Sequence, residues 1–184
     1  ITTLSRIEAG ERDVDSLLLE ALLERLGKTT NQFELILSDS DYILYQTREE
    51  INEQIRAGNF EKAEDLLNAY MKETRIKGNI HKQFTAAAFA RLNQLRGGDD
   101  ELTMDMLTKA IEYTVPDFKT NRIKDQYLSH TELIIIMEIV RHMLDADMYS
   151  GAAEIILQVM DYLDKRDLGE KSSNMYTEVA VTAC

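Results

Sequence analysis

The sequence predicts an all-α fold, and three observations lead to this prediction. The 184 residues include one proline and eight glycines, too few for an all-β sandwich or barrel, which needs a turn about every 8–12 residues. Apolar residues recur at helical spacing, and most glycines fall between the periodic stretches. A composition of 44% hydrophobic and 29% charged residues is typical of a chain that folds around a core. We therefore expect antiparallel helices joined by short turns.

The first 38 residues predict three helical segments. Residues 2–9 have the pattern of the last turns of a helix, and Gly10 would end that helix in the left-handed conformation. A leucine-rich helix follows over 14–26 and is ended by Gly27. A short third helix is expected around Phe33.

The rest of the chain predicts amphipathic helices in pairs. Their expected ranges are 40–57 with 61–75, 79–96 with 100–114, and 130–146 with 150–165, and a last helix begins near Ser172 or Ser173. Pro116 stops one helix, and residues 117–129 form a polar connector with at most one short helical turn. The helix at 130–146 is the most apolar, so we expect it at the centre of a core.

A degenerate internal repeat links two of these pairs. The segment Gly58–Ala63 aligns with Asp147–Ala152, and each contains a turn, an aromatic residue and, three positions on, an alanine. Gly97 lies between them, where an intermediate unit would turn. The pattern resembles tetratricopeptide (TPR) repeats, and Pro116 lies where those repeats place a proline. The units are longer than usual and lack the tryptophan and Leu-Gly of the first helix, so the likeness is to a divergent repeat. An ordinary helix bundle is the alternative.

The N-terminal segment Leu4–Arg12 followed by Leu18–Lys28 resembles the lambda-repressor-like (XRE) helix-turn-helix family. The residues in register with that family's pattern are Ser5, Ile7, Glu8 and Gly10. The likeness covers about residues 2–37. It implies two domains, a partial helix-turn-helix domain over 1–38 and a TPR-like domain over 39–184.

The same resemblance implies DNA-contacting residues. Thr2, Thr3 and Arg6 would face outward from the recognition helix and contact bases or phosphates. The alternative for Arg6 is a solvated surface arginine. The family's earlier helices are not in this sequence, and the last residues are apolar with no terminator, so we expect truncation at both ends. The alternative is that processing removed only the initiator methionine. A net charge of −12 also opposes DNA binding by this chain alone.

The combination of the two domains resembles the Rgg-type and PlcR-type regulators of bacterial quorum sensing. That resemblance implies a cytoplasmic homodimer that binds an operator and whose repeats form a groove for a short peptide. The expected function is a DNA-binding transcriptional regulator that senses a peptide or protein partner. The rival prediction is a helical-repeat scaffold that binds proteins and has no role at DNA.

A peptide groove would be lined by polar residues of the first helix of each pair. The stretch 72–96 is the basic part of an otherwise acidic chain. The residues predicted to line the groove are Gln83, Arg91, Asn93 and Glu132. A solvated charged face is the alternative for each of them. Three tyrosines, Tyr42, Tyr45 and Tyr70, are expected in the core instead.

The sequence offers no support for catalysis. Glu138 and His142 lie four residues apart on one predicted helix, but no third metal ligand has a suitable spacing. There is no glycine-rich phosphate loop and no nucleophile motif. We therefore expect no enzyme activity, no metal and no cofactor. The sole cysteine, Cys184, fits a reducing cytoplasm, and no apolar run approaches the roughly 18 residues that a membrane-spanning helix needs.

Overall fold

The computed structural model describes residues 16–28, 39–73, 78–165 and 170–183. Within these ranges the chain forms eight α-helices and one 3-10 helix, and no strand. The α-helices are α1 (Ser16–Arg25), α2 (Asp39–Arg56), α3 (Phe60–Lys72), α4 (Asn79–Leu95), α5 (Asp100–Glu112), α6 (His130–Asp145), α7 (Tyr149–Lys165) and α8 (Glu170–Ala183). The predicted all-α fold is confirmed.

Helices that follow each other in the sequence pack together as hairpins. α2 packs on α3, α4 on α5, and α6 on α7, and α3 and α5 join each hairpin to the next. The first helices of the first two hairpins, α2 and α4, also touch each other. The last helix, α8, packs on both α6 and α7. α1 packs on α2 and α6, so it lies on first helices rather than on second helices.

The turn inside each hairpin has one residue in the left-handed conformation. These residues are Gly58 (φ 74°), Gly97 (φ 71°) and Asp147 (φ 58°). At Gly58 the amide donates to Ile55 O, and the next amide donates to Gln54 O. The other two turns repeat this pair of bonds, which is the Schellman pattern of a helix end. The aligned turn segments in the sequence therefore adopt the same backbone bonds.

Two clusters of buried side chains form the core. The smaller cluster lies between α2, α3 and α4 and includes Leu67 and Tyr70. The larger cluster extends from α4 to α8, and α6 contributes most to it, as its apolar sequence predicts. The residues of α6 with no exposed surface are Leu133, Ile135, Ile136, Met137 and Val140. Both clusters arise because each helix places apolar residues three and four positions apart.

One of the three tyrosine predictions is confirmed and two are wrong. Tyr70 is buried in the smaller cluster, but Tyr42 is 50% exposed and Tyr45 is 46% exposed. The buried positions of α2 are Ile51 and Ile55. Tyr42 and Tyr45 lie on other faces of the same helix, so the packing of α2 turns them to solvent.

The predicted connector is held against the third hairpin. It contains a 3-10 helix, Thr120–Asp125, and its apolar residues Ile123 and Leu128 are fully buried. The backbone amide of Ile123 donates to Gln158 at 3.1 Å, and that of Leu128 donates to the Tyr162 hydroxyl at 2.8 Å. Two side chains of α7 therefore replace the helical bonds that this segment lacks.

Candidate functional site

The C-terminal end of α1 meets the N-terminal end of α6. The Glu24 carboxylate accepts a hydrogen bond from the His130 backbone amide at 2.9 Å. That amide belongs to the first turn of α6, where a helix has free N–H groups and a positive dipole end. Glu24 is itself buried. A residue of α1 thus occupies the anion-favouring end of α6.

The neighbouring residue, Arg25, forms an ion pair with Glu132. The Nε of Arg25 donates to Glu132 Oε2 at 3.3 Å, and its Nη2 donates to Oε1 of the same carboxylate. The same Nη2 also donates to the backbone oxygen of Thr114 at 3.0 Å. Arg25 is 25% exposed, whereas Glu132 is 1% exposed. A bidentate pair of this kind is both strong and specific in geometry.

Glu132 accepts further hydrogen bonds from the N-terminal end of its own helix and from Thr114, which follows α5. Its Oε2 accepts from the Ser129 backbone amide at 2.7 Å, and the Ser129 hydroxyl accepts from the Glu132 amide, which completes a capping box. Its Oε1 accepts from the Thr114 hydroxyl. That hydroxyl in turn accepts from Gln83 Nε2 at 2.6 Å. A chain of polar bonds therefore links α4 to the ends of α5, α6 and α1.

A cavity of about 80 Å³ lies beside this chain of bonds. Its walls come from α1 and from the first helices of the three hairpins, α2, α4 and α6. Charged and polar residues on the walls include Glu20, Glu24, Arg48, Gln83 and His130. The cavity has room for a few water molecules or a small ligand group.

Arg48 reaches this cavity from α2 and is held by a group of buried aromatic residues. Its Nε donates to the Tyr70 hydroxyl at 2.7 Å, and its guanidinium carbon lies 4.6 Å from the centre of the Phe84 ring. Its Nη2 donates to Ile80 O at 3.3 Å and to His81 Nδ1 at 3.2 Å. Because a guanidinium only donates, Nδ1 of His81 is an acceptor, and the Tyr70 hydroxyl donates to the same nitrogen at 2.6 Å.

The structure places the four predicted groove residues in three different environments. Gln83 and Glu132 come together through Thr114, as described above. Arg91 instead donates to Glu138 Oε1 at 2.7 Å, between α4 and α6. Asn93 lies in the last turn of α4, and its amide donates to Asp99 O at 3.0 Å and to the Thr103 hydroxyl at 2.8 Å. Of these four residues, only Gln83 and Glu132 belong to the chain of bonds beside the cavity, and only Gln83 lines the cavity itself.

The predicted DNA-contacting residues Thr2, Thr3 and Arg6 lie outside the described residues. Among the site residues that sequence reasoning missed are Arg25 and Arg48. No local pattern marks either one, since Arg25 and Glu132 are 107 positions apart. The capping box at Ser129 and Glu132 did have a sequence signature, a serine followed three residues later by a glutamate ahead of an apolar run.

The described part of the chain holds no group of three or more His, Cys, Asp or Glu residues suited to a metal ion. In the i, i+4 pair that the sequence singled out, Glu138 uses one oxygen for Arg91. The other oxygen, and Nε2 of His142, are buried without a hydrogen-bond partner among the described residues. Of the helices whose placement is described, none has the length and apolar character needed to cross a bilayer.

Fold and site together define an all-α protein of successive helical hairpins, with a preceding helix attached to them by a partly buried ion pair. No protein-family model matches the chain, and neither a curated protein nor a solved structure matches it.

Proposed function

We propose that the chain belongs to a DNA-binding transcriptional regulator whose helical hairpins sense a peptide or protein partner and form a homodimer. The observation that carries the proposal is the attachment of α1 to the hairpins through Glu24 and Arg25. α1 belongs to the segment that resembles a lambda-repressor-like domain. A direct link between that segment and the sensing hairpins is what such a regulator requires.

The arrangement of the hairpins supports a TPR-like sensing domain. Consecutive hairpins contact each other in sequence order, α2 contacts α4, and Arg91 of α4 bonds to Glu138 of α6. In repeats of this kind a ligand binds along the surface formed by the first helices. Here that surface includes the cavity beneath α1, where Gln83 and Arg48 present polar groups.

The proposed mechanism is a shift in the position of α1. A ligand that binds near the cavity changes the free energy of the contacts between α1 and α6, and so changes the population of the docked arrangement. In a homodimer, this alters the spacing of the two DNA-reading helices. Half-site spacing on DNA is sensitive to such a change.

A second candidate is a protein-binding scaffold with no role at DNA. The net charge of −12 favours it, because phosphate contacts depend on lysine and arginine. In this case α1 is one more helix of the repeat array, and the cavity is a contact point for a partner protein.

The deciding experiment uses the complete gene product. Duplexes are selected from a random DNA library, and the affinity for the enriched sequence is measured by fluorescence anisotropy with and without short peptides encoded beside the gene. We expect one enriched operator and an affinity that a peptide changes by about 5-fold to 150-fold. Failure to enrich any duplex would overturn the regulator proposal and favour the scaffold. If an operator is enriched but no peptide changes its affinity, the sensing part of the proposal is wrong.

A further inference from the structure

Arg48 differs from the other half-buried arginines in one respect. The part of the chain that the structure describes has three such arginines: Arg25, Arg48 and Arg91. Arg25 is paired with Glu132, and Arg91 is paired with Glu138. Arg48 has no carboxylate within ion-pair distance among the described residues, although Glu20 and Glu24 line the same cavity from α1. A partly buried cation without a counter-ion is costly, and such charges are normally paired.

The position of Arg48 is fixed in advance. The Tyr70 hydroxyl, Ile80 O and His81 Nδ1 use its Nε and Nη2. The Phe84 ring covers one face of the guanidinium at 4.6 Å. These contacts are all to neutral groups, so they orient the charge without neutralising it. The cost in entropy of ordering a long arginine side chain is therefore met before any ligand arrives.

We propose that Arg48 and the cavity beside it form a binding site for a carboxylate group. The free Nη1 of Arg48, which has no hydrogen bond within the described residues, would donate to the ligand. A cavity of about 80 Å³ has room for a group of the size of acetate. Guanidinium is the side chain best suited to a carboxylate, through charge-assisted hydrogen bonds.

The ligand is either the C-terminal carboxylate of a peptide or a small free acid. The peptide form depends on the proposed function, since it names the ligand of the same sensing surface. The opposite wall of the cavity carries Glu20 and Glu24 of α1. A carboxylate at Arg48 repels this wall, so occupation of the site opposes the docking of α1.

The first test titrates the 184-residue chain with sodium acetate at constant ionic strength and follows the Arg48 Nε–Hε signal and the Gln83 side-chain amide by NMR. We expect saturable shifts with acetate and none with acetamide, a neutral molecule of the same shape. The variant Arg48→Gln should weaken acetate binding about tenfold or more. The matched control Arg91→Gln, which removes an arginine that already has a carboxylate partner, should bind acetate as the wild type does.

Linear, unsaturated shifts with acetate would overturn the proposal, as would equal shifts with acetamide or with chloride. Unchanged acetate binding in Arg48→Gln would do the same. If that variant does not fold, the comparison of acetate with acetamide in the wild type still decides the question.

A second arm distinguishes the two sources of carboxylate. N-acetylleucine mimics a peptide C-terminus, and N-acetylleucinamide is its neutral control. Tighter binding of N-acetylleucine than of acetate assigns the site to a peptide terminus, and equal binding assigns it to a small acid. If operator binding responds to a peptide amide while acetate does not bind at all, the proposed function stands and the carboxylate site is wrong.

Discussion

At the scale of single residues, one buried carboxylate organises the contact between α1 and the hairpins. Glu132 is 1% exposed and accepts hydrogen bonds from Arg25, from the Thr114 hydroxyl and from the Ser129 amide. A buried charge is tolerated only when it is paired and hydrogen-bonded. Removing its charge would leave Arg25 without its counter-ion and would weaken each of the other bonds.

We expect Glu132→Gln to lower the free energy of unfolding by about 2–4 kcal/mol, because a buried pair loses one charge. Glu64→Gln is the matched control. Glu64 pairs with Arg96, but both side chains are about 40% exposed, so the loss should be below about 1 kcal/mol. Urea unfolding followed by circular dichroism measures both changes. Equal effects of the two variants would contradict the importance of the buried pair.

Hydrogen bonds to aspartates raise the pKa values of two tyrosines, Tyr149 and Tyr176. The hydrogen bond to Asp164 raises the pKa of Tyr176 above its usual 10.0, and desolvation and the charge of Asp164 raise it further. The hydrogen bond to Asp147 raises the pKa of Tyr149 in the same direction. A raised pKa in the folded state means that the stabilising contact is complete below pH 10 and is lost as the pH rises through the folded pKa.

We therefore expect Tyr176 to ionise at a higher pH than an ordinary tyrosine, and Asp164→Asn to bring its pKa back towards 10. Asp161→Asn is the control, since Asp161 bonds to Lys165 rather than to a tyrosine. Tyrosine ring-carbon NMR signals recorded from pH 8 to 12 report each ionisation separately. A midpoint for Tyr176 that is the same in the wild type and in Asp164→Asn would count against the hydrogen bond to Asp164.

At the scale of elements, the three hairpin turns have a common backbone requirement. Gly58 and Gly97 have positive φ, and a Cβ added at either position meets no atom within 4 Å. Any penalty for a side chain there comes from the backbone conformation alone. Asp147 adopts the same conformation without being glycine.

Gly58→Ala and Gly97→Ala should each lower the free energy of unfolding by about 1–2 kcal/mol, because an L-residue in the left-handed region is strained. Asp147→Gly should act in the opposite direction and raise it by about 0.5–1 kcal/mol, as the strain is removed. Thermal and urea unfolding of the three variants test the signs. If Asp147→Gly lowers the free energy of unfolding, the contacts of the Asp147 side chain stabilise the fold by more than its left-handed backbone conformation destabilises it.

At the scale of the whole molecule, the question is whether α1 moves with the hairpins. α1 has few buried side chains of its own, and those that are buried, Ser16 and Glu24, are polar. Its attachment therefore depends heavily on the bonds of Glu24 and Arg25 to α6 and to the end of α5. Segments held by few contacts open with low free energy.

Arg25→Ala should detach α1 while leaving the hairpins folded. The loss of charge-assisted bonds of about 1.5–3 kcal/mol corresponds to amide exchange in α1 that is faster by a factor of ten or more. Exchange in α4 and α7 should be unchanged. Hydrogen–deuterium exchange with mass spectrometry makes the comparison, and Arg96→Ala, which breaks an exposed pair, is the control. Faster exchange throughout the molecule would mean that the ion pair supports the whole fold.

The sequence by itself determined the all-α class and, from α1 onwards, the helix ranges and the turns between the paired helices. The helices predicted over residues 2–9 and around Phe33 lie outside the described residues. The predicted ranges agree with the observed helices to within a few residues, because helical periodicity and the residues that end helices are local properties. The burial of α6 followed from its unbroken apolar run. Tyr42 and Tyr45 were misplaced because periodicity defines a helix face but not which neighbour covers it.

The tertiary structure alone decided the site. Gln83 and Glu132 were singled out as polar residues of first helices, but their connection through Thr114 was not foreseen, and Arg91 and Asn93 proved to have other partners. Arg25 pairs with Glu132, which lies 107 positions away in the sequence, and Arg48 is oriented by residues of two other helices. Such contacts depend on how the helices pack, which is set by side-chain volumes and shapes throughout the core and not by any short stretch of sequence.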